Sequence, residues 1–216
     1  EYWRLRFGAA AEAPWGAFAE SLEAQLRRSS STVWPVMPPG LTPEVVVRYV
    51  MARSQGDVAR GVVTAGSFDV FLKRFGPLHL CLHKAYQNFF PEGRLAEWFH
   101  GALSRADSAR LMGDLRVGRF LVRYSEKEPR NLTLVYVSSA RQLKHVLVYN
   151  YGELGYGLEA DPARAGDAER FESIAAFVSQ NDDRLAAPLP SNLAAEFARV
   201  VAAVPSYGSP TPGVGA

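Results

Sequence analysis

Arg123 poses the sharpest chemical question in this sequence. It closes the apolar run of GRFLVRYSE, residues 118–126, in which Phe120, Leu121 and Val122 read as a buried strand. A guanidinium keeps its proton in any protein setting, and burying it without a partner is costly. Its planar fork of donors suits an oxyanion that accepts two bonds at once. The partner is either an internal acid, with Glu126 and Asp107 as the candidates, or a ligand from outside the chain.

Other chemistries find less support. His79 and His83 stand four apart, the spacing of a zinc pair on a helix face, but no third ligand lies near them. With His100 they read as packing or surface residues. Cys81, in LHLCLHK, reads as a buried structural thiol. There is no nucleophile elbow, no phosphate-binding loop and no kinase loop set, so neither enzymatic activity nor a cofactor is expected. Lysines and arginines are scattered and the aromatics read as core, which argues against nucleic-acid binding.

The elements that must position Arg123 follow from composition and periodicity. The chain has 216 residues, 48% hydrophobic and 21% charged, with a net charge of +2. That suits one or two globular domains and leaves any charge-based recognition local. The single cysteine excludes an internal disulfide and fits a reducing, cytoplasmic setting. No apolar run approaches a membrane span, and no secretory signal is visible. The start at Glu1 suggests a piece of a larger protein.

The first part reads as helical. Trp15, Phe18, Leu22 and Leu26 recur at helical spacing, and Thr42-Pro43-Glu44 reads as a helix start. SFDVFLKRFGPLHLCLHKAYQNFF is a second periodic region, with Ser67 as the expected cap and Gly76-Pro77 as a break. From Trp98 the texture changes. SRADSARLMGDL reads as a short helix capped by Ser104. GRFLVRYS, NLTLVYVSS and QLKHVLVYN read as strands, and ERFESIAAFVSQN as a helix with Phe171, Ile174, Phe177 and Val178 on one stripe. Helix, three strands, helix is an α+β order with an antiparallel meander. The Pro-, Gly- and Ser-rich end is expected to be disordered.

WFHGALSRADSARLM, GRFLVRYSE, LTLVYV, KHVLVYN and FESIAAFV, in that order and at that spacing, resemble a Src-homology-2 (SH2) domain. The resemblance implies a central antiparallel sheet flanked by two helices, and binding of tyrosine-phosphorylated proteins or peptides. Residue by residue, it implies that Arg123 forms the floor of the phosphate pocket and that Ser125 bonds a phosphate oxygen. Glu126 and Lys127 begin the loop over the phosphate, Arg105 contacts phosphate and the tyrosine ring, and His145 lies beside the ring. The physics agrees: a tyrosine phosphate carries about two charges and three acceptor oxygens. Many members have a lysine two positions after the strand histidine; here it is Leu147. Val146 is aliphatic and points to a groove for apolar residues after the phosphotyrosine, with Leu147, Tyr149, Tyr156 and Leu158 expected to line it.

EYWRLRFG, PWGAFAESL and SFDVFLKRFGP resemble the EF-hand-type helical segment that precedes the SH2 domain in Cbl-family ubiquitin ligases. The implied fold is α+β, with an all-α EF-hand-like domain and linker over 1–94, an SH2 domain over 95–193, and a helix end and flexible tail over 194–216. Trp3, Trp15, Phe68 and Phe71 are expected as helical core. A calcium loop would fall at Gly56–Ser67, where its ligand positions are Gly56, Val58, Arg60 and Ser67. None is a carboxylate and Arg60 repels a cation, so calcium is not expected there. No metal, membrane or nucleic-acid partner is expected. Three roles follow: an adaptor in tyrosine-kinase signalling, the substrate-recognition part of a larger enzyme such as a Cbl-like ligase, or a STAT-like arm that dimerises through a phosphotyrosine, with Tyr207 as a candidate.

Overall fold

The computed structural model describes residues 2–38, 41–51, 61–166 and 169–202. Gly56, Val58, Arg60, Tyr207 and the expected disordered tail lie outside them. The chain opens with α1 (Tyr2–Phe7), β1 (Glu12–Pro14), α2 (Trp15–Arg28) and α3 (Pro43–Met51). α2 buries Trp15, Phe18, Leu22 and Leu26, the stripe visible in the sequence. α3 starts as expected, with Pro43 in the first turn and Thr42 Oγ1 accepting the Val45 N–H at 3.3 Å.

β2 (Val62–Thr64) pairs antiparallel with β1, a small ribbon inside a region read as purely helical. It leads into α4 (Ala65–Phe75). The cap of α4 is Thr64, not Ser67. Thr64 Oγ1 accepts the Ser67 N–H at 3.0 Å, and Ser67 Oγ accepts the Thr64 N–H at 3.0 Å, a reciprocal box that places Ser67 three residues in. α4 stops at Gly76, where a Cβ would lie 2.4 Å from the Leu72 carbonyl oxygen. α5 (Leu78–Phe89) follows, and buries Cys81, Leu82, Ala85 and Phe89 on one face. Burial pushes the Cys81 thiol up to about 12, so it is an inert structural group.

The second half holds α6 (Arg105–Met112), β3 (Arg119–Tyr124), β4 (Leu132–Val137), β5 (Leu143–Asn150), β6 (Tyr156–Gly157), α7 (Ile174–Ser179), β7 (Ala187–Pro188) and α8 (Asn192–Ala202). The sheet order is β6-β5-β4-β3-β7. β3, β4 and β5 form the expected antiparallel meander, and β7 adds a parallel pairing on β3 that the sequence pattern did not announce. α7 is shorter than expected. Ser173 caps it by accepting the Ala176 N–H at 3.0 Å, so Phe171 lies before the helix and bonds the Tyr156 backbone instead.

Register decides which side each sheet residue faces. Arg123, Thr133 and Leu147 form one cross-strand row, and Leu121, Val135 and His145 the next on the same face. There Met112 of α6 packs on Leu121, Val135 and Val137. The other face, with Val122, Leu134 and Val148, joins Ile174 and Phe177 of α7 in a second and larger core. That core runs on into the helical half. Phe89 stacks on Phe99 with ring centres 4.0 Å apart, Asn88 Oδ1 accepts the Ile174 N–H at 2.9 Å, and the Tyr124 hydroxyl donates to the Val50 carbonyl. α8 begins at Asn192, so the expected boundary at 193 falls within a helix, and its Phe197 packs on Tyr49 and Phe90 of the helical half.

Candidate functional site

Two elements converge on one face of the sheet. Ser104 starts α6 by accepting the Asp107 N–H at 2.9 Å and donating to the Asp107 carboxylate at 2.7 Å. That cap sets Arg105 at the first turn, with its side chain exposed. Among the described residues its guanidinium makes no hydrogen bond or ion pair. β3 brings Arg123 to the same place. Its side chain is only 4% exposed, because apolar strands enclose its stem. Nη1 donates to the Tyr124 carbonyl at 3.0 Å and lies 3.7 Å from Glu126 Oε2, while Nε is buried without a partner. Burial lowers the Arg123 pKa, Glu126 opposes that shift, and the Arg105 charge adds to it. The group stays cationic and incompletely satisfied.

His145 approaches from β5. Burial, then the charges of Arg105 and Arg123, lower its pKa, so the ring is neutral at neutral pH. Its Nδ1 is buried with no hydrogen-bond partner. Leu147, half-buried, shares the cross-strand row of Arg123 and gives the pocket an apolar wall.

The loop after β3 closes the remaining side. Ser125 N–H donates to the Asn131 carbonyl at 3.1 Å, and Ser125 Oγ accepts the Glu128 N–H at 3.2 Å, which leaves the hydroxyl proton to donate elsewhere. Lys127 is exposed and, among the described residues, makes neither hydrogen bond nor ion pair. Glu126 Oε2 accepts the Arg105 N–H at 2.8 Å. Arg105, Arg123 and His145 are close enough for the Arg105 charge to lower the pKa of the other two.

The other expected residues divide. Val146 points to the opposite face, where with Leu134, Tyr136, Leu158, Phe177 and Arg184 it lines a cavity of about 80 Å³. Leu147 and Tyr149 fall on the Arg123 face by strand alternation, so they and Val146 form no single surface. Tyr156 does not line a groove: it is 4% exposed in the main core, and its backbone is fixed to Phe171. The internal alternatives for Arg123 also divide. Asp107 is committed to Ser104 and Arg110, whereas Glu126 does approach.

Three supporting residues escaped sequence reasoning. Arg74, on α4, lays its guanidinium 3.4 Å from the centre of the Tyr124 ring and donates from Nε to the Pro129 carbonyl at 2.6 Å. Asn131 ties down the loop through Glu128 at 2.6 Å and accepts the Asn150 N–H at 3.0 Å. Asn150 Nδ2 donates to the Arg74 carbonyl at 2.7 Å. Arg74 is distant in sequence and carries no local signal; the asparagines stand at strand ends, where a bonding side chain could have been suspected. Behind the loop, a cavity of about 350 Å³ is lined by Met51, Val70, Arg74, Ser125 and Glu126, without Arg123.

Among the described residues no His, Cys, Asp and Glu group could hold a metal, and no helix is long and apolar enough to cross a membrane. Residues 98–179 match the family model of the SH2 domain. Among solved structures, the chain is similar to the TKB region of an inactive choanoflagellate E3 ubiquitin ligase Cbl. The TM-score is 0.45 at 16% identity, over 93% of this chain and 51% of that one. The chain thus spans about half the length of that structure. A search of curated proteins finds no match.

Proposed function

Because residues 98–179 form an SH2 domain, we propose that the Arg123 pocket receives the phosphate of a phosphotyrosine on a partner protein. Arg123 takes it at the floor and Arg105 from the side, where it also covers the phenol ring. Ser125 donates its hydroxyl proton, Lys127 adds charge from the loop, and His145 and Leu147 flank the ring. The observation that carries this reading is the buried Arg123 side chain whose Nε has no partner. A buried donor left open within a cationic cluster is satisfied by a ligand.

The ligand's course follows from the sheet edge. β6 covers β5 only at Tyr149 and Asn150, so Leu143 to Val148 is open on that side. A peptide crossing there places its phosphotyrosine on the Arg123 face and its later residues over Val146 and Leu158. The small apolar cavity at that point accepts a small apolar side chain. The role that fits is recruitment of tyrosine-phosphorylated partners.

The test is calorimetric titration of the protein with phosphotyrosine peptides and their unphosphorylated forms. Wild type is expected to bind only the phosphorylated forms. Arg123→Ala removes the floor of the pocket and is expected to weaken binding about 30-fold or more. Undiminished binding by that variant would refute the assignment.

A further inference from the structure

The pocket already contains an anion. Glu126 Oε2 accepts the Arg105 N–H at 2.8 Å and lies 3.7 Å from Arg123 Nη1. Nearby acids are engaged elsewhere: Asp107 with Ser104 and Arg110, and Glu128 with Asn131. One carboxylate therefore stands between the first turn of α6 and the Arg123 fork, where an entering oxyanion must lodge.

That contact is built to be given up. At 3.7 Å it is too long for a hydrogen bond, whereas Arg123 Nη1 does donate one to the Tyr124 carbonyl. The Glu126 side chain is 52% exposed, so water screens the pair. A structural salt bridge would satisfy the guanidinium; this one leaves Nε open.

We infer that Glu126 sets the affinity of this pocket, as a resident monoanion that an entering anion must displace. A sulfate ester brings one charge and exchanges like for like. A phosphate monoester brings close to two, with three acceptor oxygens, and gains on exchange. Loss of the carboxylate removes a cost common to every entering anion, and should therefore help phosphate and sulfate esters alike. The inference rests on the reading of this pocket as a phosphotyrosine site.

Phenyl phosphate and phenyl sulfate are the probes, since they reproduce the tyrosine ester without flanking sequence. Wild type, Glu126→Gln and Arg123→Ala are titrated with each, followed by amide NMR shifts. Glutamine keeps an oxygen for the Arg105 N–H and removes the charge. Glu126→Gln is expected to bind phenyl phosphate about fivefold tighter, and to gain a similar factor for phenyl sulfate. Unchanged or weaker binding of both esters overturns the inference and leaves the pocket assignment standing. Absence of phenyl phosphate binding by wild type, or its persistence in Arg123→Ala, overturns both.

Discussion

At the scale of residues, the pocket depends on charges that the fold leaves unsatisfied. Arg123 is nearly buried yet keeps an open Nε, and the Arg105 guanidinium has no internal partner among the described residues. Their field has a measurable consequence at His145, whose pKa burial and both cations lower below its ordinary 6.5. A bound phosphate reverses that field and raises the pKa, so the complex holds a proton that the free protein does not. The His145 contribution to binding then grows as pH falls through the range just below 6.5. His145→Gln is expected to flatten that part of the pH profile in calorimetric titrations at closely spaced pH values. The phosphate's own titration, at about pH 6, is common to both proteins and cancels in their difference. The places of Arg123 at the end of a buried strand and of Ser125 just after it were legible because the apolar run and the residues after it are contiguous. Glu126 was legible as a loop residue, but its approach to Arg123 depends on how the loop folds back over α6.

At the scale of elements, β3 and α6 deliver the cations, and α4 steadies the loop between them. Arg74 reaches from α4 to the Pro129 carbonyl and stacks on Tyr124, while Asn150 bonds the Arg74 carbonyl. Arg74→Ala removes the Pro129 bond and the contact with the Tyr124 ring. Loss of one such bond is expected to weaken phosphopeptide binding about three- to tenfold. Amide exchange over residues 125–131 should rise, and the pH dependence should stay that of wild type. The elements were largely readable: periodicity gave α2, α3, α5 and the meander. The misreadings have local causes. Ser67 looked like a cap because serine favours that position, but Thr64 precedes it and the two bond reciprocally. β7 has too few residues for any alternation to show.

At the scale of the whole molecule, the helical half and the sheet half share one hydrophobic core. Phe89 stands at the junction, 0% exposed and packed against Phe75, Trp98, Phe99 and Tyr124. Phe89→Ala is expected to cost about 3–5 kcal/mol. Calorimetry should show a single transition at lower temperature, because the larger core spans both halves; two resolved transitions would contradict a shared core. The sequence by itself determined the local and contiguous features: the order of elements, the apolar strand that carries Arg123, and the chemistry its fork of donors invites. These depend on neighbours within one helical turn or one strand, which composition and spacing encode. Only the tertiary structure decided that Val146 and Leu147 face opposite sides, that Tyr156 is core, and that Arg74 braces the loop. It alone decided that Glu126 meets both arginines. Each of those depends on strand register or on contacts between distant segments, and packing selects them over the whole chain at once.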